Sequence, residues 1–319
     1  MLNLIHFNPQ AVTDAVQQAE QFLVQQQHPD GCWRDYQLEP GASEAWTTAV
    51  VLWSLACVPP CSVALPSVKA AIDALQALQK PAGWGYNRHT AADADSTAWT
   101  CRVLTALSSR SDLPAAALLQ SFILDDGSSQ TFCGKERFGS WAGYHADVQP
   151  MIGIALVRLL AATNDPALQS LIRLMRSCCV VSAKPEGWSS FWWTTDAYAI
   201  ACNLEFLQSS GGIPGTIAHS AANWLADAAA PQSAFEAAQY LMIALLTGTE
   251  MEKYISYLMD TQLDDGSWLS SCVLLVPAQF NERQIIHPPA FPDIRRLMST
   301  AMALISLKRV LSVTRLLMN

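Results

Sequence analysis

The sequence predicts an all-α fold in which about six helix pairs stack side by side and close into a double ring, with an inner and an outer layer. Three observations carry this prediction. Apolar residues recur at spacings of three and four, as at Leu52 and Leu55 or Leu241, Ala244 and Leu245, while alternating strand patterns are nearly absent. A turn cluster ending in Gly and Trp recurs along the chain. Neither end carries a polar capping repeat, and Leu297 to Leu317 is as apolar as the middle, which favours a closed ring over an open solenoid.

The copies of the turn fall in order. The first is Pro29-Asp30-Gly31-Cys32-Trp33, preceded by Gln25 to Gln27 and followed by Thr48-Ala49, which opens the apolar stretch Val50 to Leu55. Gln76 and Gln79 lead to Pro81-Ala82-Gly83-Trp84, and Thr97-Ala98 then opens Val103 to Leu107, roughly fifty residues after its first counterpart. A degraded copy stands at Asp125-Asp126-Gly127-Ser128. Pro185-Glu186-Gly187-Trp188 precedes Asp196-Ala197, about two periods beyond Thr97. Glu236-Ala237 is a weaker helix opening, and Gln262 with Asp264-Asp265-Gly266-Ser267-Trp268 precedes Thr300-Ala301 and the apolar Met302 to Leu307. No Gly-, Ser- or Pro-rich linker divides the chain, so residues 1–319 read as a single domain.

Composition narrows the function. Hydrophobic residues make up 51% of the 319 and charged ones only 14%, against roughly 25% in an average soluble domain. The apolar excess calls for a large core or for a cavity that meets something greasy. A net charge of −8 supplies no basic field for nucleic acid. Nine scattered cysteines without Cys/His pair spacing argue against a disulfide framework and a zinc cage, so no metal or cofactor is expected. No basic segment followed by an apolar one opens the sequence, and no run of about eighteen uninterrupted apolar residues occurs; a cytoplasmic location fits these features.

The stretch Ala92-Asp93-Ala94-Asp95-Ser96-Thr97-Ala98-Trp99 carries the most chemistry. Asp93 suits an N-cap, with Asp95 and Ser96 in the first helical turn among unpaired N–H groups. Taken alone this reads as a well-capped helix. Other repeats, however, open the matching helix with Trp-Thr-Thr or Ser-Thr, so the fold does not require two carboxylates here.

With these residues on the page, the Gln-rich, Asp-Gly-Trp repeats resemble the QW motifs of squalene-hopene cyclases, and Asp93-Ala94-Asp95-Ser96-Thr97-Ala98 resembles the DxDD-T-A motif of class II terpene cyclases. The resemblance spans nearly the whole chain. It implies an α/α-barrel and proton-initiated cyclisation of a polyprenyl chain, with Asp95 as the acid. Gly83-Trp84-Gly85-Tyr86 resembles the family's Gly-Trp-Ala-Phe, which puts Tyr86 where a cation-stabilising ring sits. Gly187-Trp188 with Trp192, and Ala290-Phe291-Pro292, resemble further segments that supply aromatic walls; Trp46 and Trp99 join these as substrate-binding candidates. The length resembles that of single-domain meroterpenoid cyclases, which fold a prenylated aromatic acid. Asp95 would have to arrive neutral, its pKa raised by an apolar cavity and by Asp93. The helix N-terminus and the Ser96 hydroxyl would then stabilise its anion.

The sequence also departs from that pattern. Ser96 stands where the motif has Asp, and the family's His partner of the acid would fall near Asp147-Val148-Gln149-Pro150-Met151, where Met151 is the nearest match. A zinc-dependent prenyltransferase-like subunit would need Asp, Cys and His ligands, and a non-catalytic toroid remains the reading from a different class. Arg295, Arg296, Lys308, Arg309 and Arg315 lie among leucines, which suits an outer helix with solvated charges or docking on an anionic bilayer. An acidic head group would need a cation at the cavity end remote from Asp95. Arg34, Arg137 and Arg283 are the candidates, Arg88 being placed beside the acid instead.

Overall fold

The computed structural model describes residues 7–59, 65–107, 114–280 and 288–318; Arg283 lies outside them. In chain order the helices are α1 (Pro9–Gln25), α2 (Ala45–Ala56), α3 (Leu65–Ala77), α4 (Ala94–Leu107), α5 (Ala115–Gln120), the short α6 (Lys135–Phe138), α7 (Gln149–Thr163), α8 (Pro166–Ser182), α9 (Ala197–Ser209), α10 (Gly215–Asp227), α11 (Ala234–Thr247), α12 (Glu252–Thr261) and α13 (Leu297–Met318). The six helices α2, α4, α7, α9, α11 and α13 each pack on the next, and α13 returns to α2, closing the inner ring. The outer layer is α1, α3, α5, α8, α10 and α12, each packed on an inner helix. The inner helices are buried almost all round, as in α2 where Ala45 to Leu55 are all buried, whereas outer helices such as α8 bury one stripe: Leu168, Ile172, Met175 and Cys179.

The recurring turns explain how each pair is built. Trp33 Nε1 donates to Leu23 O at 2.6 Å, Trp84 Nε1 to Leu75 O at 2.6 Å and Trp268 Nε1 to Leu258 O at 2.8 Å, so the indole ties the turn to the end of the preceding outer helix. The Trp main chain then meets the Thr that opens the next inner helix: Trp33 N donates to Thr48 Oγ1 at 2.9 Å and Trp84 N to Thr97 Oγ1 at 3.0 Å. Gln262 closes the last turn by donating to Gly266 O and to Ala15 O of α1, both at 2.9 Å. The glycines are demanded by backbone and by space. Gly83 has φ +116°, and a β-carbon there would collide with the Thr97 hydroxyl. Gly83→Ala is therefore expected to cost more than about 1 kcal/mol, read as a lower denaturant midpoint at constant slope; an unchanged midpoint would refute this account of the turn.

Two small antiparallel pairs edge the ring: β1 (Asp35–Leu38) with β2 (Gly41–Ser43), and β3 (Cys272–Leu275) with β4 (Ala290–Pro292). Residues Leu297–Leu316 are long and apolar enough to cross a membrane by composition, but 78% of them are buried inside the protein. The C-terminal segment is thus an inner helix, which corrects the outer-helix expectation. Its Lys308 is fully buried, 2.6 Å from Glu20 of α1. Arg309 pairs with Glu205 at 3.2 Å, and Arg296 pairs with Asp265 at 2.9 Å. Lys308 and Arg296 are thus engaged within the protein, while Arg309 shares Glu205 with Arg102.

Candidate active site

The N-terminal end of α4 is held from three sides. Asp93 N donates to Trp84 O at 2.9 Å, and Ala94 N donates to Thr131 O at 2.8 Å. Asp93 Oδ1 accepts from Ser96 N at 2.7 Å and Oδ2 from Ser96 Oγ at 2.8 Å, which makes Asp93 the cap of the helix. The Ser96 hydroxyl is therefore spent on Asp93, and the expectation that it stabilises an Asp95 anion is corrected.

Asp95 is the second residue of α4, in its first turn. Its Oδ1 is buried and accepts no hydrogen bond. Burial, followed by the charges of Asp93 and Asp147, pushes its carboxyl well above the usual range, against a smaller opposing effect of the Trp46 indole. Asp147, just before α7, accepts from Phe191 N at 2.9 Å and Trp192 N at 2.7 Å through Oδ2. Burial raises Asp93 and Asp147 to about 6 each, and hydrogen bonds to their oxygens resist that rise. Three buried carboxylates in one neighbourhood cannot all ionise. Asp93 accepts from Ser96 N, and Asp147 from Phe191 N and Trp192 N, whereas Asp95 has only the smaller effect of the Trp46 indole. Of the three, Asp95 is the carboxyl whose neutral form its surroundings favour most.

Met151 does not partner the acid: its sulfur lies 3.5 Å from Arg102 Nη1. His145 is engaged elsewhere, with Nδ1 2.7 Å from Thr131 Oγ1 and its ring stacked on Phe191 at 3.8 Å. Burial lowers its pKa to about 4, so it is neutral near pH 7. From the expected segment it is Asp147 whose charge acts on Asp95, which the sequence did not disclose.

Aromatic rings wall the space around the acid. Trp46 lies 5.8 Å from Tyr36, 6.4 Å from Tyr86 and 5.8 Å from Trp193, and Trp193 continues to Tyr198 at 4.5 Å and Phe235 at 4.6 Å. Tyr86 is turned partly away by its hydroxyl, which donates to Tyr36 O. Trp192 belongs to a neighbouring cluster, 5.5 Å from Trp141 and 5.0 Å from Phe191; its neighbour Trp193 is the one that touches Trp46. Phe291 is paired across from Leu274 in the β3–β4 ladder and is half-buried. Further down the bore, Trp53, Trp99, Tyr198, Cys202, Met151, Met242 and Met302 line a narrow cavity of about 30 Å³. Trp99 is thus on the cavity wall.

The basic candidates fare differently. Arg34 reaches Glu44 at 2.9 Å and Asp30 at 2.5 Å, and Arg88 reaches the same Glu44 at 2.7 Å. Burial would raise the Glu44 pKa, but the two guanidiniums hold it at about 2. Arg34 and Arg88 therefore stand together, which overturns their assignment to opposite ends, and Arg34 is already paired. Arg137 is exposed on α6, 5.0 Å from the Phe138 ring. Among the described residues no group of three or more His, Cys, Asp or Glu side chains is placed to hold a metal ion.

The helical ring is shared with solved structures. Apo MstE from Scytonema, a type II terpene cyclase, superposes with a TM-score of 0.82 at 22% identity, over 96% of this chain and 99% of that one. The chain has the fold of a type II terpene cyclase. An MstE variant in complex with geranylgeranyl dihydroxybenzoate, described as its substrate, gives 0.80 at 21% identity over 95% and 98%. A protein from Actinoplanes gives 0.74 at 24% identity over 94% and 99%. No family model and no curated protein matches the chain. Within the cyclase fold, a neutral carboxylic acid at the start of an inner helix facing an aromatic bore is suited to delivering a proton to an apolar substrate.

Proposed function

We propose that the protein is a class II terpene cyclase that protonates the terminal alkene of a prenylated aromatic acid and folds it into a polycyclic meroterpenoid. The observation that carries this reading is Asp95, whose Oδ1 is buried and accepts no hydrogen bond, with the charges of Asp93 and Asp147 acting on it and an aromatic wall beside it. Alkene protonation needs a neutral acid of raised proton affinity in a site that excludes water. The cations that follow need negative faces without nucleophilic lone pairs, which Trp46, Trp193 and Phe235 supply at roughly 0.5 to 2 kcal/mol each.

The substrate class follows from the fold together with the MstE complex, whose ligand is a geranylgeranyl dihydroxybenzoate. A chain of that size needs several hundred Å³, so entry requires the lining to move. Met151, Met242 and Met302 are the side chains best able to do so, being unbranched and readily repacked.

Incubation of the purified protein with geranylgeranyl dihydroxybenzoate in the presence of a chelator tests the reading. The expected result is a cyclic product of unchanged mass, because initiation consumes and returns one proton. Absence of product, or product only with added divalent metal, would overturn it.

A further inference from the structure

We propose that the end of the bore remote from Asp95 is an anion subsite, in which Arg158 and Arg309 bind the substrate's carboxylate above the Arg102–Glu205 ion pair. This rests on the cyclase reading and adds the residues that orient the substrate.

The site is built from four helices. Arg102 lies seven residues along α4 from Asp95, about 10 Å at 1.5 Å per residue. Its side chain is 3% exposed and pairs with Glu205 of α9 at 2.6 Å. Arg309 of α13 reaches the same Glu205 at 3.2 Å. Arg102 and Arg158 of α7 lie over the Trp53 ring at 3.8 and 5.3 Å. Three guanidiniums thus converge on one carboxylate. Glu205 keeps its charge: burial opposes it, but Arg102 and Arg309 hold its pKa down.

An excess of two positive charges at the end of an apolar bore does not serve stability. One arginine would neutralise Glu205, and every further cation adds repulsion and desolvation. The donors are also incompletely used. The Nε atoms of Arg102 and Arg309 are both buried and make no hydrogen bond, while Arg158 makes no ion pair among the described residues.

There is room for a ligand. Arg102, Arg158, Glu205 and Arg309 line a cavity of about 360 Å³, together with apolar Ile154 and Leu245. Arg102, Glu205 and Met242 border the narrow inner cavity as well, so the two spaces meet at this charged layer. With Met151, Met242 and Met302 displaced, a prenyl chain held in the inner cavity would end at the arginines. A planar carboxylate matches the fork of an arginine and can accept two hydrogen bonds from one. Arg158 is exposed and Arg309 is 41% exposed, so the carboxylate would sit at the open mouth. This replaces the assignment of that role to Arg34 and Arg137.

The test compares geranylgeranyl dihydroxybenzoate, its methyl ester and geranylgeranyl diphosphate with wild-type protein, Arg158→Ala, Arg309→Ala and Arg309→Lys. Binding is read by calorimetry and turnover as kcat/KM. The expected result is that the acid-over-ester preference falls at least about tenfold in each Ala variant, a loss of about 1.4 kcal/mol, and that Arg309→Lys restores part of it. Equal effects on acid and ester, no effect, failure of the wild type to bind the acid, or selective loss for the diphosphate alone would overturn the proposal. Asp95→Asn separates it from the cyclase reading, since that variant should bind the acid with the wild-type preference while cyclising nothing. Turnover by Asp95→Asn would sink the cyclase reading, whereas a lost acid preference in the arginine variants would still identify the subsite.

Discussion

Asp95→Asn is expected to reduce cyclisation by at least about three orders of magnitude, the upper range for removal of a positioned general acid, while the protein folds as before. The amide has the size of the carboxyl but no proton acidic enough for an alkene. Folding should survive because the helix cap is Asp93, not Asp95. Linkage gives a second readout. The folded-state pKa of Asp95 is raised, so the wild type is least penalised below about pH 4, where the carboxyl is protonated folded or unfolded, and loses stability as pH rises towards the folded value. Asn carries no such penalty. The variant should match the wild type in melting temperature near pH 4 and exceed it near pH 8, and wild-type activity should be lost on the alkaline side as Asp95 ionises. Near wild-type turnover, or a variant that melts lower at pH 8, would contradict the assignment of the proton to Asp95.

The placing of Asp93 and Asp95 at the start of an inner helix was legible in the sequence because its signal is local. Asp93 to Ala98 fall within two helical turns, and the Gly-Trp turn that anchors them is only a few residues upstream. The ring was legible for the same reason, each Gly–Trp–Thr unit recording one helix pair. The lining was not. Trp193 rather than Trp192 meets Trp46 because Trp193 bridges Leu274 at the edge of β3, a register set by a segment far along the chain. Arg34 looked free, yet Glu44 and Asp30 already hold it. The arginines of the remote end lie on α4, α7 and α13, and nothing in their local sequence says that ring closure brings them to one carboxylate.

Lys308→Met is expected to destabilise the protein by about 3 to 5 kcal/mol, the range for breaking a buried ion pair by removing one partner. Lys308 is fully buried on the same helix face as Leu304 and Leu311, although in the sequence it reads as a solvated charge interrupting an apolar helix. Its ammonium lies 2.6 Å from Glu20 of α1 and donates to Ser54 O at 2.8 Å and Leu55 O at 3.3 Å, at the C-terminal end of α2. One side chain of the last inner helix thus ties together the first outer and the first inner helix, where the ring closes. Removing it strands the Glu20 charge and takes a donor from two carbonyls. Replacing both partners, Lys308→Met with Glu20→Leu, removes the stranded charge and should recover most of the loss. If the single variant costs under about 1 kcal/mol, as for an exposed pair, Lys308 is not a latch and closure rests on apolar packing alone. If the double variant is no better than the single one, the cost lies in the uncapped carbonyls of α2 and not in the stranded carboxylate.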